Sequence, residues 1–198
     1  MSAYFTKRIE GWTSWGKVHQ DLPAWEPLIK NIFHREGLPY IQPGHLTPGT
    51  NAVFRVGGYV VKIYAPKESG IDSTADIETE GFAARHVAGL GIPVPQCVAR
   101  GILEDKYRFA YMIMVYTPGT EFTKLSPGFT EQEKVSFGKR LLAITDQMNI
   151  PCEPFNDIDV IRDKGRYRRW DKYAEPFRAE RLAWLANADF GEMVFVHG

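Results

Sequence analysis

The chain has 198 residues and is 44% hydrophobic, so it can bury a full core in one domain or in two small lobes. Lys plus Arg and Asp plus Glu each number 24, so no net charge draws the protein to nucleic acid or to an anionic membrane surface, and we expect neither as a partner. Two cysteines are too few for a disulfide framework or a zinc site, and no apolar run approaches the ~18 residues of a membrane span, so we expect a cytoplasmic protein.

The first part of the chain alternates between helical and strand-like patterns. Asp21 followed by Pro23 is typical of a helix start, and apolar residues then recur at helical spacing until Gly37, which predicts a helix over about 21–37. Ser73 and Asp76 have the spacing of a capping box and predict a second helix that ends near residue 89. Runs rich in Val, Ile and Tyr predict five strands, over 40–46, 51–56, 59–65, 96–103 and 107–116.

This order of elements predicts an α+β fold with a mostly antiparallel five-stranded sheet and one helix packed on it. Gly57 and Gly58 join two strands as a hairpin turn. From Thr130, which forms a capping box with Glu133, the sequence turns mainly helical, with a later helix over 171–188 and a short strand over 193–196. We expect an N-terminal lobe over 1–117 and a partial helical lobe over 118–198.

Lys62 is the most informative single residue. It lies within an apolar strand, where an ammonium group needs an anionic partner, and strand alternation places it on one face with Val60 and Tyr64. It could meet nucleotide phosphates in a cleft, or it could protect an edge strand from aggregation. Glu80 on the following helix is a candidate partner for Lys62, and the alternative for Glu80 is a solvated acidic helix start.

Several motifs occur in an order that resembles the aminoglycoside phosphotransferases and their choline-kinase-like relatives, which have a protein-kinase-like fold. They are GTNAVFRV (49–56), VVK (60–62), EGFAA (80–84), IPVP (92–95) and MIMVYTPG (112–119). The similarity spans roughly residues 45–120 and reappears at VFVHG (194–198). The ordered set is more specific than any one of these motifs.

The resemblance implies a role for each matching position. Gly49, Thr50 and Asn51 would form a loop that covers the phosphates, although an ordinary hairpin loop would explain these residues as well. Lys62 would contact the phosphates while Glu80 holds it.

The segment after the last strand would form the hinge of the adenine pocket. Met114 would line the pocket, the Val115 carbonyl would accept from the adenine amino group, and the Thr117 N–H would donate to the ring. Because these contacts use backbone atoms, the side chains of this segment do not tell whether the nucleotide is ATP or GTP. The same residues are also compatible with a plain core strand.

His197 and Gly198 resemble the start of the family's catalytic loop, in which a catalytic aspartate follows at once. His197 would shape that loop. The base and the Mg²⁺ ligands expected of the full-length enzyme are absent from these residues, so we expect little or no turnover from this chain, and self-association through exposed helical faces.

The leading hypothesis is therefore the ATP-binding portion of a kinase that transfers the γ-phosphate of ATP to a hydroxyl of a small molecule. Aminoglycoside, macrolide, choline, homoserine and methylthioribose remain open as acceptors, and an aminoglycoside acceptor would imply antibiotic resistance. The alternative is a non-catalytic nucleotide-binding or interaction module.

Overall fold

A computed structural model of the chain describes residues 3–47, 49–148, 151–152, 168–187 and 194–195. The chain divides into two compact units, Met1–Leu141 and Leu142–Gly198. Within the described residues, no helix is both long and apolar enough to cross a membrane.

Five antiparallel strands form the main sheet. They are β1 (Gly44–His45), β2 (Ala52–Val56), β3 (Tyr59–Ile63), β4 (Cys97–Glu104) and β5 (Arg108–Val115), in the spatial order β1-β2-β3-β5-β4. The predicted α+β class with its five-stranded antiparallel sheet is confirmed. The prediction of a first strand over 40–46 was too long, because Pro43 has no N–H to donate to the ladder and only two residues pair with β2.

Two helices at the N-terminus cover one face of this sheet. They are α1 (Trp12–Val18), which the sequence reading did not predict, and α2 (Leu22–Arg35), which confirms the helix predicted over about 21–37. The α2 side chains that are fully buried follow helical spacing: Trp25, Leu28, Ile29, Ile32 and Phe33. Aromatic rings fill the space between helix and sheet, with Trp25 and Phe109 5.4 Å apart between ring centroids.

Helix α3 (Thr74–Gly89) follows β3, as predicted, with Ser73 as its N-cap residue. The Ser73 hydroxyl makes no capping hydrogen bond, so the predicted capping box with Asp76 is wrong. Asp72 acts instead, because its Oδ1 accepts from the Thr74 N–H at 3.0 Å. Hydrogen bonds from the Thr74 side chain and from its backbone N–H, together with the nearby Lys67, hold the pKa of Asp72 down at about 2.

The remainder of the described chain is mainly helical. It comprises α4 (Phe122–Leu125), α5 (Glu131–Met148), the strand pair β6 (Pro151–Cys152) with β7 (Val194–Phe195), a 3₁₀ turn over Arg168–Lys172, and α6 (Glu175–Asn187). The capping box at the start of α5 is confirmed, since Glu133 Oε2 accepts from the Thr130 N–H at 2.8 Å and the Thr130 hydroxyl accepts from the Glu133 N–H at 3.3 Å. The helix predicted over 171–188 starts later, at Glu175, because residues 171–172 belong to the tighter 3₁₀ turn.

Alternation along the strands gives the main sheet two different faces. Val61 and Ile63 on β3 are fully buried against the N-terminal helices. Val60 and Lys62 lie on the opposite face, which we call the open face, and both are only partly buried. Helix α3 packs on part of the open face and supplies the side chains that meet Lys62.

Candidate functional site

The register of the strands places an apolar surface beside Lys62 on the open face. Lys62 lies opposite Val53 on β2 and opposite Met112 on β5, while Val60 lies opposite Met114. Residues directly opposite each other in antiparallel strands project from the same face. Val53, Val60 and Met114 are half-buried, so this apolar surface is accessible next to a cation.

Lys62 and Glu80 form an ion pair through Nζ and Oε1. The Lys62 side chain is 16% exposed and that of Glu80 is 37% exposed, so the pair is partly screened by solvent. Glycine at position 81 allows α3 to pack closely here, since an added Cβ would meet the Arg100 guanidinium. The structure therefore brings together two residues that are 18 positions apart in the sequence.

Tyr64 completes this cluster. Its hydroxyl donates to Glu80 Oε2 at 2.6 Å, and its side chain is almost fully buried. Burial first, and then the hydrogen bond to Glu80, raise the pKa of Tyr64 well above its ordinary value. Both Glu80 oxygens are thus engaged, one by a cation and one by a neutral donor, which fixes the orientation of the carboxylate. Alternation had placed Tyr64 on the Lys62 face, but nothing in the sequence pattern pointed to its hydroxyl.

The loop over 49–51 enters β2 near the end of β3 that carries Lys62, because Ala52 pairs with Ile63. Gly49 and Thr50 are exposed and Asn51 is half-buried. The Thr50 carbonyl accepts from Trp15 Nε1 at 2.7 Å, so α1 holds one end of this loop. The loop lies close to Lys62 in the sheet register, and no hydrogen bond joins the two within the described residues.

The predicted hinge residues lie at the opposite end of the open face. The Val115 N–H donates to the Gln96 carbonyl and the Tyr116 N–H to the Gly58 carbonyl, both at 2.8 Å. Thr117 is exposed, and its N–H has no backbone acceptor in the part of the chain that the structure describes. The chain thus leaves β5 with a free donor beside the apolar surface of Val60 and Met114.

The profile of the Phosphotransferase enzyme family, APH, matches residues 48–198. The chain belongs to this family. The match includes the loop over 49–51, Lys62, Glu80 and the predicted hinge, and it also includes His197 and Gly198, which lie outside the described residues. No solved structure matches the chain at a significant level.

Among the described residues, no group of three or more His, Cys, Asp or Glu side chains could hold a metal. The open face carries the Lys62 cation held by Glu80, the apolar surface of Val60 and Met114, and the Thr117 N–H as a free backbone donor.

Proposed function

We propose that this chain binds ATP on the open face, as the ATP-binding portion of a phosphotransferase that transfers the γ-phosphate to a hydroxyl group of a small-molecule acceptor. The observation that carries the proposal is the Lys62 ammonium held by Glu80, with Tyr64 fixing the second carboxylate oxygen. A lysine held in this way keeps its position when a phosphate arrives, so less side-chain entropy is lost on binding.

The purine would lie on the apolar surface formed by Val60 and Met114. Its edge would face the chain after β5, where the Val115 carbonyl can accept and the Thr117 N–H can donate. Lys62 lies two residues from Val60 along β3, about 7 Å away, so it would reach the phosphates rather than the base. Gly49, Thr50 and Asn51 would cover the phosphates from the start of β2.

Each of these contacts binds or orients the nucleotide. A magnesium ion bound with the nucleotide would neutralise phosphate charge during transfer. The contacts proposed at the hinge come from the backbone, so GTP could use the same surface.

Aminoglycoside, macrolide, choline, homoserine and methylthioribose are the acceptors to compare.

Thermal unfolding with increasing ATP and Mg²⁺ tests the binding step. A ligand at 100 times its dissociation constant adds about 2.7 kcal/mol to the stability of the folded state, which corresponds to a rise in Tm of about 5–10 °C for a chain of this length. Lys62→Ala should abolish most of this rise. Lys17→Ala, which removes an exposed lysine on α1, is the matched control and should leave the rise unchanged.

Transfer is tested separately with ATP labelled in the γ-phosphate and the five acceptors. Label in one acceptor would identify the acceptor class and would contradict the expectation of little or no turnover from this chain. Nucleotide binding without label in any acceptor is the expected result, and no rise in Tm with any nucleotide would refute the proposal.

A further inference from the structure

A cavity of about 660 Å³ lies between the start of α3 and the strands β4 and β5. Its lining includes Ser73 and Ile77 from the α3 side and Arg100 and Ile102 from β4. Neither Lys62 nor Glu80 lines the cavity, so it is separate from the surface proposed for ATP. A cavity of this size matches the volume that small-molecule ligands occupy in proteins.

Ser73 is a buried polar residue that lines the cavity. The residue is only 5% exposed, and its side chain makes no capping hydrogen bond to α3. Its hydroxyl can therefore donate to an acceptor atom bound in the cavity.

Arg100 is an exposed cation on β4 that lacks an ion pair within the described part of the chain. Two other basic residues of the cavity lining are already paired: Lys67 lies 3.3 Å from Asp72, and Arg108 lies 3.0 Å from Glu104. Arg100 also packs against Gly81 on α3, which limits where its guanidinium can lie. Arg100 is therefore available to bind an anion as a planar pair of donors.

The rest of the lining limits the class of ligand. Ile77 and Ile102 form apolar walls that suit a hydrocarbon or aromatic body. Glu68 and Glu78 also line the cavity and would repel a dianion such as a phosphate monoester more strongly than a single carboxylate. We propose that this cavity binds a small monocarboxylate with an apolar body, whose carboxylate pairs with Arg100 and accepts from the Ser73 hydroxyl.

The probe is 3-phenylpropionate, titrated into the ¹⁵N-labelled full chain and followed by amide chemical shifts. We expect saturable binding with a dissociation constant of about 1–10 mM, the range for a ligand of roughly a dozen heavy atoms. The shifts should fall on Thr74, Ile77 and Ile102. The neutral analogue 3-phenyl-1-propanol should bind at least about tenfold more weakly, because it cannot pair with a cation.

Variants and competition make the result specific. Arg100→Gln and Ser73→Ala should each weaken binding, the first by about tenfold or more. Gly81→Ala should also weaken it, since the added methyl would displace the Arg100 guanidinium. Arg85→Gln is the control, because Arg85 is an exposed arginine of α3 that does not line this cavity.

Saturating ATP should not compete with the probe. The probe should also bind if the chain does not bind ATP, so a failure of the ATP proposal can be told apart from a failure of this one. Equal binding of acid and alcohol, shifts centred on Val60 and Met114, or no saturation would each overturn the inference.

Discussion

Replacing Tyr64 by Phe removes one hydroxyl from the cluster that holds Lys62 and leaves the buried ring in place. The hydroxyl donates to Glu80 Oε2 at 2.6 Å, and hydrogen bonds to charged groups contribute about 1.5–3 kcal/mol. The Glu80 side chain is 37% exposed, so water can replace the lost donor in part. We therefore expect a loss of about 1–2 kcal/mol at pH 7, or a fall in Tm of about 2–8 °C.

The assay is urea unfolding of the wild type and the variant, with Tyr59→Phe as the control. Tyr59 is the first residue of β3, which ends just before Tyr64, and the Tyr59 hydroxyl has no hydrogen-bond partner in the described part of the chain. Its loss should therefore change stability by less than about 0.5 kcal/mol. The same unfolding series with ATP present tests the link to the site. Tyr64→Phe should also weaken ATP binding, because Glu80 becomes free to turn away from Lys62.

The pH dependence gives a second and independent readout. The pKa of Tyr64 is raised in the folded state, so its contribution to stability is complete below the pKa of an unfolded tyrosine, about 10, and is lost as the pH rises further. The stability difference between wild type and Tyr64→Phe should therefore shrink above pH 10. A variant as stable as the Tyr59→Phe control at pH 7, or a difference that widens above pH 10, would refute this reasoning.

Three further predictions concern other parts of the fold. Gly101→Ala should lower the free energy of unfolding by about 1–3 kcal/mol, because the added Cβ would lie 2.7 Å from the Tyr111 hydroxyl oxygen. Tyr111 is 2% exposed and its hydroxyl is bonded to Glu36, so it cannot easily move away. Unchanged stability in urea unfolding would contradict this packing argument. Thr130→Ala should fray the start of α5 and so lower the helical circular dichroism signal. The hydrogen bonds from Thr130 lower the pKa of Glu133, so in the wild type this helix should weaken below about pH 4.5. The variant should not show this weakening. Self-association remains a prediction, to be checked by sedimentation, and a monodisperse monomer would count against it.

The sequence predicted the parts of the site that depend on chain periodicity. Strand alternation placed Lys62 on the face opposite the buried Val61, and the helix that follows β3 offered Glu80 as its candidate partner. The start of α3 at Ser73 was predicted correctly, but its capping hydrogen bond was not, because Asp72 rather than Ser73 accepts from the first N–H of the helix.

The parts that the sequence did not reveal depend on contacts between distant segments. Helix α1 has only seven residues and includes Gly16, so its propensity is weak, and burial of Trp15 and Val18 stabilises it instead. The lack of an ion-pair partner for Arg100 among the described residues likewise has no signature in the sequence. It is recognised only when the pairing of the neighbouring basic residues is known.

The two faces of the sheet explain how a lysine can stay accessible in the middle of an apolar strand. The N-terminal helices bury most of one face, with Trp25 and Phe109 in aromatic contact, so the stability of the sheet does not require the other face to be covered. Helix α3 then covers only part of the open face, through its contact with Lys62 and Tyr64, and leaves the surface of Val60 and Met114 accessible. Trp15 connects these two roles, because its ring packs in the core while its indole N–H holds the loop at Thr50. The N-terminal helices therefore contribute to the proposed nucleotide site although none of their side chains is proposed to contact the nucleotide.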